Sequence, residues 1–319
     1  MNRIEKIQRL LVSAMNLRRE ESFLVVTDPD LREVGELLLE AGRAAGGAAH
    51  LLVIPGDRAP GSEPDPLTAA AMKAARAVVC PTRASLTHTR ARREACAAGA
   101  RVATMPGIDL EILLRAAQAD AEAVAARTRN LAERLRGKKQ VRLTNPLGTD
   151  LTLSMEGRRV IASEGLIREP GAGGNLPSGE VYFAPVEGTT QGTLVVDGSF
   201  AGLGKLSRPV RLTFREGIAR EIEGGEEARR LEALLEPHGG KARNAAELGI
   251  GANDAARISG NVLEDEKVLG TVHVALGNNL SMGGSVDVPL HLDGVLTRPT
   301  LEIDGEVYLR DGVPQGGWA

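Results

Sequence analysis

Over residues 1–139 the apolar positions fall into two alternating rhythms. Ile4, Ile7, Leu10, Leu11 and Ala14 recur at helical spacing, with Arg3, Glu5, Lys6 and Arg9 between them, and predict an amphipathic first helix. Residues 23–27 (FLVVT) form a short continuous apolar run, the signature of a strand buried on both faces. Asp28, Pro29 and Asp30 then open a helix over 31–45. The unit repeats as strand 49–54, a Pro- and Gly-rich turn, helix 66–75, strand 77–80, helix 88–98 and strand 101–104. Strands spaced by helices require right-handed crossovers, so this half is expected to be an α/β domain with a mainly parallel sheet and helices on both sides. One long helix from Asp109 to Lys138 closes it.

From residue 141 the rhythm changes. VRLTNPLGTDLTLSM alternates apolar and polar residues about a Pro/Gly turn and predicts an antiparallel hairpin. Strand 193–197 follows, then the hairpins 208–214 with 217–223 and 286–296 with 300–309, interrupted by a helix over 225–235. The expected organisation is an α/β domain over 1–139 and a β-rich α+β domain over 140–319. GAGGN at 171–175 does not lie between a strand and a helix, and reads as a loop rather than a phosphate cradle.

Composition narrows the picture. A chain of 319 residues is long for one core, and with 42% apolar but only 2% aromatic residues the interior must rest on Leu, Val, Ile and Ala. A net charge of −3 gives no basic excess for nucleic acid and no single-sign run for a membrane surface. Arg90, Arg92 and Arg93 read as a solvated helix face. Cys80 and Cys96 form no CxxC pair, which excludes a disulfide framework and suits a reducing compartment. The N-terminal residues hold no uncharged apolar stretch, and no run reaches membrane-spanning length. A soluble, cytoplasmic protein is expected.

Candidate chemistry gathers in the second half. His50 begins an apolar strand, His238 sits in a turn, and His88 precedes a helix that it could cap. His291 and Asp293 stand two apart in PLHLDGVL, so strand alternation puts both on one face, a common metal-ligand pair. His273 lies in DEKVLGTVHVALG, where Asp265, Glu266 and Lys267 interrupt apolar residues; if inward-facing, it needs a partner. Glu180 begins an apolar strand after a turn, and Glu247 is a lone acid in NAAELGIGAN; either is costly to bury unless paired or metal-bound. Each alone has an unremarkable reading as a surface or structural residue. Together these five match a two-metal hydrolytic site, in which carboxylates bridge two divalent ions and a shared water becomes the nucleophile.

NLPSGEVYFAPVEGTTQGTLVVDGS, AAELGIGAN, DEKVLGTVHVALG and HLD, in that order, resemble the M29 metallo-aminopeptidases, the thermophilic aminopeptidase T group. A weaker likeness runs through HTRARREACAAGARVATMPGI. The resemblance implies an α/β N-terminal domain, a metal-binding catalytic C-terminal domain, two zinc or cobalt ions, a homodimer and short peptides as substrates. It implies Glu180, Glu247, His273, His291 and Asp293 as ligands, with Glu180 and Glu247 also catalytic. Three departures stand out: the chain is short, only 18 positions separate His273 from His291, and Leu280 stands where the family has a catalytic tyrosine. Loss of that tyrosine would cost on the order of 10²–10³ in rate. Tyr182 and Tyr308 do not match it by motif. A second expectation is therefore the related iron-dependent dihydroxypyridine ring-opening dioxygenases, for which His273, His291 and Asp293 suffice as a two-His, one-carboxylate set. A third is a non-catalytic ligand-binding relative.

Overall fold

The computed structural model describes residues 1–59 and 61–319. Two compact units emerge, one of Met1–Ala125 with Glu164–Ser178, the other of Ala126–Ser163 with Gly179–Ala319. The helices are α1 (Arg3–Met15), α2 (Arg32–Ala44), α3 (Pro66–Ala74), α4 (Arg90–Ala97), α5 (Leu110–Ala116), α6 (Ala121–Leu135), α7 (Glu226–Leu235) and α8 (Val262–Asp265). The strands of the first half are β1 (Ser22–Thr27), β2 (Ala48–Val53), β3 (Ala77–Cys80), β4 (Arg101–Thr104), β5 (Gln140–Thr144), β6 (Asp150–Ser154) and β7 (Ile161–Ser163). There follow β8 (Gly173–Asn175), β9 (Glu180–Phe183), β10 (Gln191–Val196), β11 (Ser199–Phe200), β12 (Gly204–Lys205), β13 (Val210–Arg215) and β14 (Ile218–Glu223). The last are β15 (Ala245–Gly251), β16 (Val272–Gly277), β17 (His291–Leu296), β18 (Thr300–Ile303), β19 (Glu306–Arg310) and β20 (Val313–Pro314). No helix among the described residues is long and apolar enough to cross a membrane.

The first unit carries a five-stranded sheet in the order β2-β1-β3-β4-β8, with every pairing parallel. Met72, Ala91 and Ala95 from α3 and α4 pack with Leu24, Val26, Val78 and Val102 on one face. On the other, α2 comes close enough to Phe23 that only a glycine fits at Gly42, where a Cβ would lie 2.3 Å from the ring. The expected parallel sheet with helices on both sides is thus present. GAGGN is not a loop: residues 173–175 pair with β4 as the sheet's edge, which draws Glu164–Ser178 into this unit. The units therefore do not follow the expected boundary near 140. The expected 109–138 helix is also two helices. Ala117 closes α5, and Asp120 starts α6 by accepting from the amides of Glu122 and Ala123, both at 3.1 Å. At α4 the cap is Thr89, not His88. Cys80 and Cys96 are free thiols.

The second unit holds an eight-stranded sheet, β14-β13-β10-β6-β5-β18-β19-β20, and a seven-stranded sheet, β12-β11-β17-β16-β15-β9-β7. The hairpins 141–155 and 208–223 form as expected. Residues 286–296 and 300–309 do not pair: β17 lies against β16, whereas β18 pairs with β5 and β19. The chain changes sheet at Thr297, whose amide and hydroxyl donate to Asp197 at 2.9 and 2.7 Å, and Pro299 follows.

Candidate metal centre

Four central strands of the seven-stranded sheet alternate between two faces, apart from a register shift between Ala245 and Glu247. Val181, Phe183, Leu248, Ile250, Val272, Val274, Leu276 and Leu296 enter the unit's apolar core. Their neighbours face the other way. Register sets Glu180 opposite Gly251, Tyr182 and His273 on either side of Gly249, Glu247 opposite Ala275, Asp293 opposite Ala275, and His291 opposite Gly277. Directly opposed residues share a face. One face thus gathers Glu180, Glu247, His273, His291 and Asp293 around a floor of Gly249, Gly251, Ala275 and Gly277. The small floor is obligatory. A Cβ on Gly249 would lie 2.1 Å from His273 Nε2, because the imidazole lies across that position.

The side chains converge. His273 Nε2 lies 3.1 Å from Glu247 Oε1 and 3.5 Å from Glu180 Oε2. His291 Nε2 lies 3.2 Å from Glu247 Oε2 and 3.3 Å from Asp293 Oδ1. Three overlapping groups have donor atoms close enough to hold an ion: Glu180, Glu247 and His273; Glu247, His291 and Asp293; and Glu266, His273 and Asp293. All five side chains singled out in the sequence are brought together here. Glu266 is an addition.

Lys267 is another. It is fully buried, with Nζ 3.0 Å from Glu180 Oε1 and hydrogen-bonded to Glu266. The neighbouring Asp265 folds the approach, accepting from Ser259 N at 2.6 Å and Gly260 N at 2.9 Å. The available signal was the run Glu264–Lys267, four consecutive charges between apolar residues, all of which are buried. Leu280, where the M29 resemblance implies a tyrosine, is 47% exposed. Tyr182, passed over by motif, lies on the site face.

Buried carboxylates set the charge balance of the site. Burial pushes the His273 imidazole down, but Glu247, Glu180 and Glu266 more than reverse this and hold it at about 9. His291 is likewise opposed by burial yet held well above its ordinary value by Asp293 and Glu247. Burial pushes Glu247 and Asp293 up, but their histidine contacts win and both stay below the usual carboxylate range. Burial raises Glu180, against the pull of Lys267. Glu266 is pushed up to about 8 by burial, with Lys267 opposing and Glu180 and Asp293 adding. Burial also raises the Tyr182 hydroxyl, and Glu247 and Glu180 add to it. The donor set fits a divalent ion: imidazole and carboxylate donors converge with their atoms close enough to share one. His291 is also oriented for it, since Nδ1–H donates to Asn278 O at 2.8 Å and leaves Nε2 facing the carboxylates.

The sequence model of the NicX family, 2,5-dihydroxypyridine 5,6-dioxygenase, matches residues 50–316. The chain belongs to that family. The matched span holds the whole of the site and leaves out β1 and the first two residues of β2. Among solved structures, the chain is similar to the 2,5-dihydroxypyridine dioxygenase from Pseudomonas putida KT2440, at 18% identity and a TM-score of 0.83, covering 99% of this chain and 98% of that one. It is also similar to AmpT from Thermus thermophilus, at 18% identity and a TM-score of 0.74, covering 98% and 99%. At these identities the structural likeness shows a shared fold alone. No curated protein matches. The scaffold implied by the M29 resemblance is therefore present, but it is one that the NicX dioxygenases share, and family membership lies with them.

Proposed function

We propose that this protein is a mononuclear non-haem iron dioxygenase that opens the ring of a hydroxylated pyridine, 2,5-dihydroxypyridine being the compound its family name supplies. Family membership over residues 50–316 carries the reading. The donor set supports it. His273, His291 and Asp293 supply two imidazoles and a carboxylate, and Asp293 falls in one ligand group with each histidine. Such a set would hold ferrous iron and leave room for the oxygen and substrate chemistry the metal supplies when bound. The remaining residues do ordinary work. Asn278 O fixes the tautomer of His291. Glu247, set between the two imidazoles, is the carboxylate placed to take up the proton that a ring hydroxyl gives up on binding. The Tyr182 hydroxyl, held protonated by burial and by the Glu247 and Glu180 charges, offers a hydrogen-bond donor on the same face.

One observation favours the two-metal peptidase reading: Glu247 belongs to two adjoining groups, as a bridging carboxylate would. Against it stands the exposed Leu280. The experiment that separates them loads the protein anaerobically with Fe²⁺ and follows oxygen uptake on adding 2,5-dihydroxypyridine, with an aminoacyl-anilide in parallel. Oxygen consumed in step with loss of the ring chromophore supports the dioxygenase. Anilide hydrolysis without oxygen uptake supports the peptidase.

A further inference from the structure

Buried lysines are rare, and one committed to two carboxylates beside a metal-ligand cluster needs a reason. The Lys267 side chain has no exposure, lies 3.0 Å from Glu180 Oε1 and is hydrogen-bonded to Glu266 Oε1. Those two acids belong to two of the three candidate ligand groups. The third, Glu247, His291 and Asp293, is joined through His291 Nε2. The backbone fixes where the ammonium can go: Lys267 N donates to Glu264 O at 2.9 Å, and Lys267 O accepts from Asn253 N at 2.8 Å.

We propose that Lys267 is a built-in second cation, occupying with its ammonium the side of the centre bounded by Glu180 and Glu266, so that the site accepts one divalent ion and not two. This rests on reading the cluster as a metal centre. A divalent ion seated on Glu180 would share that carboxylate with an ammonium that repels it at short range in a poorly screened interior. The ammonium cannot swing into solvent to make room, because nothing of it is exposed. Glu180 is then the lysine's partner and not an iron ligand, and the difference between one-metal and two-metal members of a common scaffold reduces to a charge carried by a side chain.

The test counts ions. The full-length protein is stripped with chelator, reloaded with excess Co²⁺ or Zn²⁺, desalted and analysed for metal per chain. The wild type is expected to hold one ion, Lys267→Met two, and Lys267→Arg one. Two ions in the wild type, or one in a folded Lys267→Met, overturns the proposal. Should Lys267→Met not fold, Glu180→Gln decides: as the lysine's partner it keeps one ion with affinity changed by a few-fold at most, whereas loss of the ion shows Glu180 to be a ligand and overturns the proposal. None of these counts depends on oxygen uptake. Inactivity towards dihydroxypyridine with the expected counts overturns the dioxygenase reading and leaves the lysine's role standing.

Discussion

Asp293 is the pivot among the single residues, because it falls in one ligand group with His291 and in another with His273. Asp293→Asn keeps the shape and removes the charge. Its cost should exceed the roughly 10–100-fold loss of metal affinity typical of an outer-shell partner. Competition titration against a chromophoric chelator measures it; affinity within about threefold of the wild type would remove Asp293 from the ligand set. The raised pKa values give a second outcome at this scale. His273 is held at about 9 against an ordinary 6.5, so its contribution to the chelator-treated protein is complete below pH 6.5 and is lost as pH rises through about 9. Glu266, lifted to about 8 from 4.5, changes in the same sense, favouring the fold below pH 4.5 and losing that contribution as pH rises through about 8. The thermal midpoint of chelator-treated protein should therefore fall between pH 6.5 and 9. Metal affinity should rise over the same window as protons cease to compete. A chelated midpoint that climbs with pH would contradict this charge arrangement.

For the elements, the centre depends on a sheet whose one face is apolar and whose other face is functional over a floor of small residues. Gly249→Ala tests that division. The new Cβ would meet His273 Nε2 at 2.1 Å and Cε1 at 2.2 Å, so the imidazole must leave its position. Overpacking of this kind costs about 1–3 kcal/mol, and metal binding should be lost although His273 itself is intact. Retained metal with an unchanged midpoint would contradict an imidazole lying across Gly249. Much of this face was legible beforehand. Alternation in VHVALG and HLDGVL separates His273, His291 and Asp293 from their apolar neighbours using local sequence alone. Strand partnership was not legible, because choosing β16 over residues 300–309 for β17 depends on contacts far apart in sequence. Glu266 and Lys267 escaped for a related reason: charged residues after a short helix ordinarily face water, and only the fold shows them buried.

Over the whole molecule, the change of texture near 140 marked the change from parallel to antiparallel sheet, but it could not reveal that Glu164–Ser178 returns to the first unit through β8. Three residues without alternation carry no strand signal of their own. Likewise, the resemblance in residues 140–310 located the scaffold but not the chemistry run on it. The scaffold alone cannot choose between oxygenase and peptidase, since both kinds of relative superpose on nearly the full chain. The most direct test is iron per chain measured together with oxygen uptake in the presence of 2,5-dihydroxypyridine. One iron per chain, with one O₂ consumed per ring opened, is the result expected. Two ions per chain with hydrolysis of aminoacyl-anilides and no oxygen uptake would contradict it.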